Sequence, residues 1–138
     1  MNSKTLIGGL LGAIVSFAAG YLIYGLLLKD FFTQHTVFYA GLVKDPPEIW
    51  AIGVANLAWG LLTAYIFSMS NIKTAGKGFV NGFIIFCLVA LGCDLFVYAQ
   101  MELFHLKLLA IDVALTAVLG ALGGTAVGWW LGRGGKAA

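Results

Sequence analysis

The sequence is poor in charged residues. Only 10% of its 138 residues are Asp, Glu, Lys or Arg, whereas 61% are hydrophobic. A water-soluble domain usually has about a quarter of its residues charged. This shortage excludes an ordinary soluble domain, and the mean hydropathy of +0.96 predicts a small integral membrane protein.

Proline, cysteine and histidine are also scarce, with two of each. Cys87 and Cys93 lie six residues apart in one apolar run, which on a helix would point them about 120° apart and prevent a disulfide within it. Neither His35 nor His105 has a neighbouring serine, so no arrangement of nucleophile, base and acid is present. The basic residues form no stripe for nucleic acid. We therefore expect a non-enzymatic protein with no cofactor and no nucleic-acid partner.

Long apolar runs, in contrast, are abundant. Four stretches reach the ~20 residues that span a ~30 Å hydrocarbon core, namely residues 5–28, 50–69, 79–98 and 108–131. Backbone groups in lipid must be satisfied within their own segment, so each run is predicted to be a helix. The first run exceeds the roughly 7–15 apolar residues of a cleaved signal, so we expect it to be retained. The predicted fold is all-α, one four-helix transmembrane bundle over residues 1–138 in a lipid bilayer.

The distribution of Lys and Arg predicts the orientation of this bundle. With four spans, both termini and the turn between the second and third spans share one side of the membrane. Five of the eight basic residues lie on that side, and they are Lys4, Lys73, Lys77, Arg133 and Lys136. Because basic loops stay in the cytoplasm, the sequence predicts a multi-pass protein with both termini cytoplasmic.

The connection between the first two spans is predicted to contain a short helix that lies in the outer membrane interface. Its apolar face consists of residues at helical spacing, which are Phe31, Phe32, His35, Phe38, Tyr39 and Leu42. Further along, Asp45 is predicted to cap the second span, with Pro46 in the first turn and Glu48 completing a capping box.

The first and last spans carry small residues at intervals of four. These are Gly8, Gly12 and Gly20 in the first span and Gly120, Gly124 and Gly128 in the last. Such tracks let helices approach closely in lipid, where van der Waals contact drives association. They suit packing within the bundle as well as docking against another chain. We expect a homo-oligomer or a larger membrane complex.

All four spans place a polar side chain at a similar shallow depth on the outer side. Asp94 and Asp112 each lie four residues, about 6 Å, from the outer end of their span. Tyr24 lies at a similar depth, and Asn56 is about 9 Å deep. An ionised Asp that faces lipid is disfavoured, so these side chains should turn into the bundle. Tyr24, Asn56, Asp94 and Asp112 therefore form the predicted pocket.

Three interpretations of this layer stay open. The polar groups fix helix register through hydrogen bonds, or they bind a small cation, a proton or a lipid headgroup. In the third interpretation they hold a metal ion together with Glu102 and His105, whose E-x-x-H spacing occurs in pairs in di-iron bundles and once here. The leading hypothesis is binding or translocation through the pocket. The alternative is an accessory or structural subunit that docks on a larger membrane complex through the glycine tracks.

Three stretches of the sequence resemble a known family. They are "GYLIYGLLLKDFF" at the end of the first span, "KTAGKGFVNGF" at the second connection and "LKLLAIDVA" at the start of the last span. In these stretches the chain resembles small four-helix bacterial integral membrane proteins of a domain-of-unknown-function family. The resemblance implies a four-helix fold in the bacterial inner membrane and implies no activity.

Overall fold

The computed structural model describes residues 2–37, 39–42, 44 and 46–133, and they confirm an all-helical protein. The helices are α1 (Ser3–Gly20), which continues as a π-helical segment (Tyr21–Leu27), α2 (Lys29–His35), α3 (Ile49–Met69), α4 (Ala75–Gln100) and α5 (Leu106–Gly132). Four helical stretches are long and apolar enough to cross a membrane, because α1 and the π-helical segment together make one of them.

The helix ends differ slightly from the predicted spans. Helix α4 begins at Ala75, four residues before the predicted start, because the Thr74 hydroxyl accepts a hydrogen bond from the backbone N–H of Lys77 at 3.2 Å. The first span is a larger departure, since it is not α-helical to its end. At its end the N–H of Leu28 donates to the carbonyl of Ile23, five residues back, at 2.8 Å.

Helix α5 is the centre of the bundle. It contacts α4, α1 and α3, and its buried residues run from Leu108 to Leu131. The buried residues of α1 lie between Thr5 and Ala13, and those of α3 between Gly60 and Phe67. The bundle is therefore closely packed at the end that carries the termini and the α3–α4 turn. At the opposite end α1 and α3 bury much less of their surface.

The closely packed end is held by an apolar cluster and by long-range hydrogen bonds, one of which joins the Thr5 hydroxyl of α1 to the Ser68 hydroxyl of α3 at 3.3 Å. Phe67 of α3 is fully buried in the same cluster as Val127 and Leu131 of α5. The indole N–H of Trp130 donates to the backbone carbonyl of Lys4 at 3.1 Å. These contacts join α1, α3 and α5 to one another.

A helix forms in the predicted connection, but it is shorter than expected. Its predicted apolar face extends to Leu42, whereas α2 ends at His35 and Thr36 adopts extended backbone. Thr36 instead forms an isolated antiparallel bridge with Phe104 in the α4–α5 loop. Next to this bridge, the backbone N–H of Val37 donates to the carbonyl of Leu103 at 2.9 Å. That N–H is therefore not available for a further turn of α2. Phe38, which belongs to the predicted face, lies outside the described residues.

The predicted capping box at the start of the second span is wrong. Glu48 occupies the N-cap position itself, and its side chain makes no capping bond to α3. Its carboxylate instead pairs with Lys44 and accepts a hydrogen bond from the indole N–H of Trp50 at 2.8 Å. Pro47 disfavours helical backbone at Pro46, which prevents an earlier start. Asp45 lies outside the described residues.

The α3–α4 turn depends on Asn71, which has a positive φ of 55°. A left-handed conformation costs most residues roughly 1–2 kcal/mol, and Asn and Gly tolerate it best. We expect Asn71→Ala to lower the free energy of unfolding by about 1 kcal/mol, while Asn71→Gly leaves it unchanged or raises it. Titration with SDS in mixed micelles, followed by tryptophan fluorescence, measures both. Equal stability of the two variants would contradict the assignment of strain to this residue.

Candidate functional site

Tyr24, at the end of the first span, reaches α5 through its hydroxyl group. The hydroxyl donates a hydrogen bond to Oδ1 of Asp112 at 2.9 Å, and Oγ1 of Thr116 lies 3.4 Å away. Asp112 and Thr116 lie four residues apart on α5, so they share one face of that helix. The first and last spans are thus joined by a polar contact at the end of the bundle where apolar packing is looser.

The π-helical segment determines where Tyr24 points. An α-helix turns about 100° per residue, and the wider turn of a π-helix advances less, so the segment changes the direction of every side chain after Gly20. Such segments occur often at functional sites. The ring of Tyr24 also contacts the ring of Phe32 on α2, with centroids 5.1 Å apart. Helix α2 therefore folds back over Tyr24 and supports it.

Asp94 of α4 faces Asp112 across the α4–α5 contact. The two carboxyl groups are close enough for their charges to interact. Oδ2 of Asp94 is buried and has no hydrogen-bond partner among the residues that the structure describes. We call the group formed by Tyr24, Asp94, Asp112 and Thr116 the carboxyl site. Three helices contribute to it, and all four residues are partly exposed at its edge.

The chemistry of two facing carboxyl groups is restrictive. An ionised carboxylate has acceptors and no donor, so two of them cannot bond each other. Two like charges that lie close together also repel each other strongly where water is scarce. The pair is favourable only when a positive charge lies between the oxygens, either as a proton on one carboxyl group or as a bound cation. The carboxyl site is therefore suited to hold one positive charge.

Asn56, the fourth residue of the predicted pocket, makes no hydrogen bond to the other three among the described residues. Its amide donates to the carbonyl of Ile52 on its own helix at 2.9 Å. Depth alone predicted it, and depth does not say which way a side chain points around the helix. Thr116, in contrast, belongs to the site and is absent from the predicted pocket. Its spacing of four residues from Asp112 is the signal that could have found it.

Glu102 and His105, the weak candidates for metal ligands, line one cavity between the loops. Among the described residues, no group of three His, Cys, Asp or Glu side chains lies close enough to hold a metal ion. The cavity therefore provides two such side chains. Neither residue belongs to the carboxyl site.

The predicted packing glycines all contact another helix of the same chain. A Cβ atom on Gly8, Gly12 or Gly20 would meet Trp130, Val127 or Leu119 of α5. A Cβ atom on Gly120, Gly124 or Gly128 would meet Phe86, Gly78 or Thr74, in α4 or at its N-cap. Sequence reasoning missed the opposing glycines Gly78 and Gly82 on α4. Both predicted tracks are therefore occupied within the chain, and a partner protein would need another surface.

No protein-family model matches the chain, and neither a curated protein nor a solved structure matches it significantly. The resemblance to the bacterial four-helix family therefore stays a prediction. The function has to be inferred from the carboxyl site and its surroundings.

Proposed function

We propose that this protein is a small non-enzymatic membrane protein that binds a proton or a small cation between Asp94 and Asp112. The observation that supports the proposal is the facing pair of carboxyl groups, in which a buried oxygen of Asp94 has no donor among the described residues. A proton or cation between the two groups cancels their repulsion, and if it binds at the buried oxygen it also supplies the missing partner. Ionisable groups inside membrane spans commonly mark ion pathways.

The geometry favours a proton or a small cation over a lipid headgroup at this site. The two carboxyl groups are close enough for their charges to interact, and a proton or a cation without its water shell is the smallest positive charge that can lie between them. A headgroup amine with its substituents needs a wider gap. Tyr24 donates to Oδ1 of Asp112 at 2.9 Å and so holds that carboxyl group in place.

Translocation by this site requires more than one copy of the chain. Four helices seldom enclose a pathway by themselves, and here α5 fills the centre of the bundle with side chains along its length. Asp94, Asp112 and Tyr24 are partly exposed, so an ion could reach them from the surface of the bundle. We place the pathway along that surface in a homo-oligomer.

The proposed location is the bacterial inner membrane with both termini in the cytoplasm. Lys4, Lys73, Lys77 and Arg133 belong to the end of the bundle that also carries the α3–α4 turn, and Lys136 lies outside the described residues. Basic residues next to spans favour the cytoplasmic side. The carboxyl site then lies in the outer half of the membrane, and α2 lies at the outer interface.

Flux into proteoliposomes tests the proposal. An imposed potassium diffusion potential drives proton uptake, read by an internal pH dye, or sodium uptake, read by a sodium dye. We expect the wild-type protein to carry one of the two ions. We expect Asp94→Asn and Asp112→Asn to reduce that flux to the level of empty vesicles, because an amide neither releases a proton nor attracts a cation.

Asp30→Asn is the matched control, because Asp30 is an exposed acid in the first turn of α2. It should keep the wild-type flux. Wild-type flux from the Asp94→Asn variant, with the same fluorescence spectrum as the parent protein, would overturn the proposal and leave the acids as helix-fixing groups.

The alternative function, docking on a larger complex through the glycine tracks, has less support. All six predicted glycines already contact helices of the same chain. An accessory subunit of this kind would have to use its exposed apolar faces instead.

A further inference from the structure

The cavity lined by Glu102 and His105 lies beside the bundle, between the two loops at the end that carries the carboxyl site. The backbone N–H of Val37 donates to the carbonyl of Leu103 at 2.9 Å, next to the Thr36–Phe104 bridge. These bonds tie the segment after α2 to the α4–α5 loop. Together with the last turn of α4 they line an open cavity of about 610 Å³, which falls within the roughly 300–1,000 Å³ of small-molecule sites. We call it the loop cavity.

The walls of the loop cavity combine aromatic rings with one carboxylate. Tyr39, Tyr98 and Phe104 contribute the rings, and among the described residues Glu102 is the one formally charged residue in the wall. Glu102 forms no salt bridge within the described part of the chain, where Lys44 and Glu48 make the recorded pair. The faces of aromatic rings attract cations within about 6 Å of their centres. The cavity thus has the composition of a site for an organic cation.

We infer that the loop cavity binds an alkylammonium group, with Glu102 as its counter-ion and Tyr39, Tyr98 and Phe104 around its apolar surface. Ring faces favour an ammonium group that carries carbon substituents, because such a group loses less hydration than a bare metal ion. His105, also in the wall, offers an imidazole nitrogen as a hydrogen-bond acceptor. This site is separate from the carboxyl site and does not depend on the proposed ion function.

The place of the cavity indicates a phospholipid headgroup as the source of the ammonium. Tyr98 lies in the last turn of a membrane-spanning helix, at the level where tyrosine side chains meet headgroups. His105 also lines a smaller cavity whose wall includes Lys107. A phosphate joined to the ammonium would therefore find a basic side chain nearby. A free amine from solution shares the same ammonium chemistry and enters the test as a separate arm.

Native mass spectrometry of protein extracted from vesicles of equal phosphatidylethanolamine and phosphatidylglycerol tests the lipid arm. We expect the wild-type protein to retain phosphatidylethanolamine in preference, and Glu102→Gln to lose about tenfold or more of that preference. Saturation-transfer NMR with tetramethylammonium, on protein in lipid-free detergent, tests the free-amine arm. A tetramethylammonium signal that vanishes in Glu102→Gln, without any lipid preference, supports the site with a soluble amine as its source.

Three further variants separate the contributions of charge and of the aromatic ring. Glu48→Gln removes an exposed acid that already pairs with Lys44 and should behave as wild type. Tyr98→Phe keeps the ring and should keep binding, whereas Tyr98→Leu should lose it. Equal retention of the two lipids together with no tetramethylammonium signal would overturn the inference. The inference would also be overturned if the Glu102→Gln variant bound the lipid or tetramethylammonium as well as the wild-type protein does.

Discussion

A Gly82→Ala variant should unfold far more easily than the wild-type protein, with a loss of about 3 kcal/mol in the free energy of unfolding. The added Cβ would overlap the carbonyl oxygen of Gly120 and would lie 3.2 Å from Cα of Gly124. Both are backbone atoms of α5, so no side chain can rotate out of the way. Helices α4 and α5 would have to separate along their contact, which is the most extensive in the bundle.

Gly92→Ala on the same helix is the matched control for this change. A Cβ at Gly92 meets nothing within 4 Å, and alanine is a better helix former than glycine by about 1 kcal/mol. That variant should be as stable as wild type or more so. Fluorescence-monitored SDS titration in mixed micelles compares the three proteins. Equal stability of Gly82→Ala and Gly92→Ala would show that α4 and α5 do not pack through these glycines.

The second large effect is expected at Phe67, which anchors α3. Its side chain is fully buried against Val127 and Leu131 of α5, and the outer half of α3 buries little. Replacement of a buried Phe by Ala costs roughly 3–5 kcal/mol in soluble proteins. Part of that cost is the free energy of transferring the side chain out of water, and this part is smaller in lipid. The part due to lost packing contacts remains. We therefore expect Phe67→Ala to lower the free energy of unfolding by about 2 kcal/mol.

Phe96→Ala provides the control, because Phe96 on α4 is 72% exposed and its truncation leaves no internal cavity. The same SDS titration should place it within about 0.5 kcal/mol of wild type. A loss of stability in Phe96→Ala as large as that in Phe67→Ala would contradict the assignment of Phe67 as the anchor.

The residues of the carboxyl site come from the π-helical segment, α4 and α5. Phe67→Ala should therefore lower stability and leave ion flux per folded molecule unchanged.

The positions of the two acids explain why they meet. Helices α4 and α5 run antiparallel on either side of one short loop, and each acid lies the same number of residues from its end of the predicted span. Equal distances from a shared loop bring the two residues to one level. The paired glycines of the two helices then let the backbones approach closely. Close approach at one level brings the carboxyl groups within reach of each other.

The sequence by itself determined the fold class, the number of spans and the depth of the polar groups. The bilayer requires apolar segments of a fixed length, because lipid excludes unpaired backbone groups and its thickness sets the length of a span. Both requirements can be recognised in composition and run length. Depth follows from the constant rise of a helix. For this reason the amino-acid sequence is sufficient to assign Tyr24, Asp94 and Asp112 to one layer.

Only the tertiary structure decided which way each polar group points and which helix it meets. Asn56 had the right depth but bonds its own backbone. Tyr24 reaches Asp112 from a π-helical segment that hydrophobic periodicity does not reveal. The glycine tracks showed that helices approach, and the structure assigned them to contacts within the chain. Direction around a helix axis is set by the neighbours that pack against it, and those neighbours exist only once the bundle has formed.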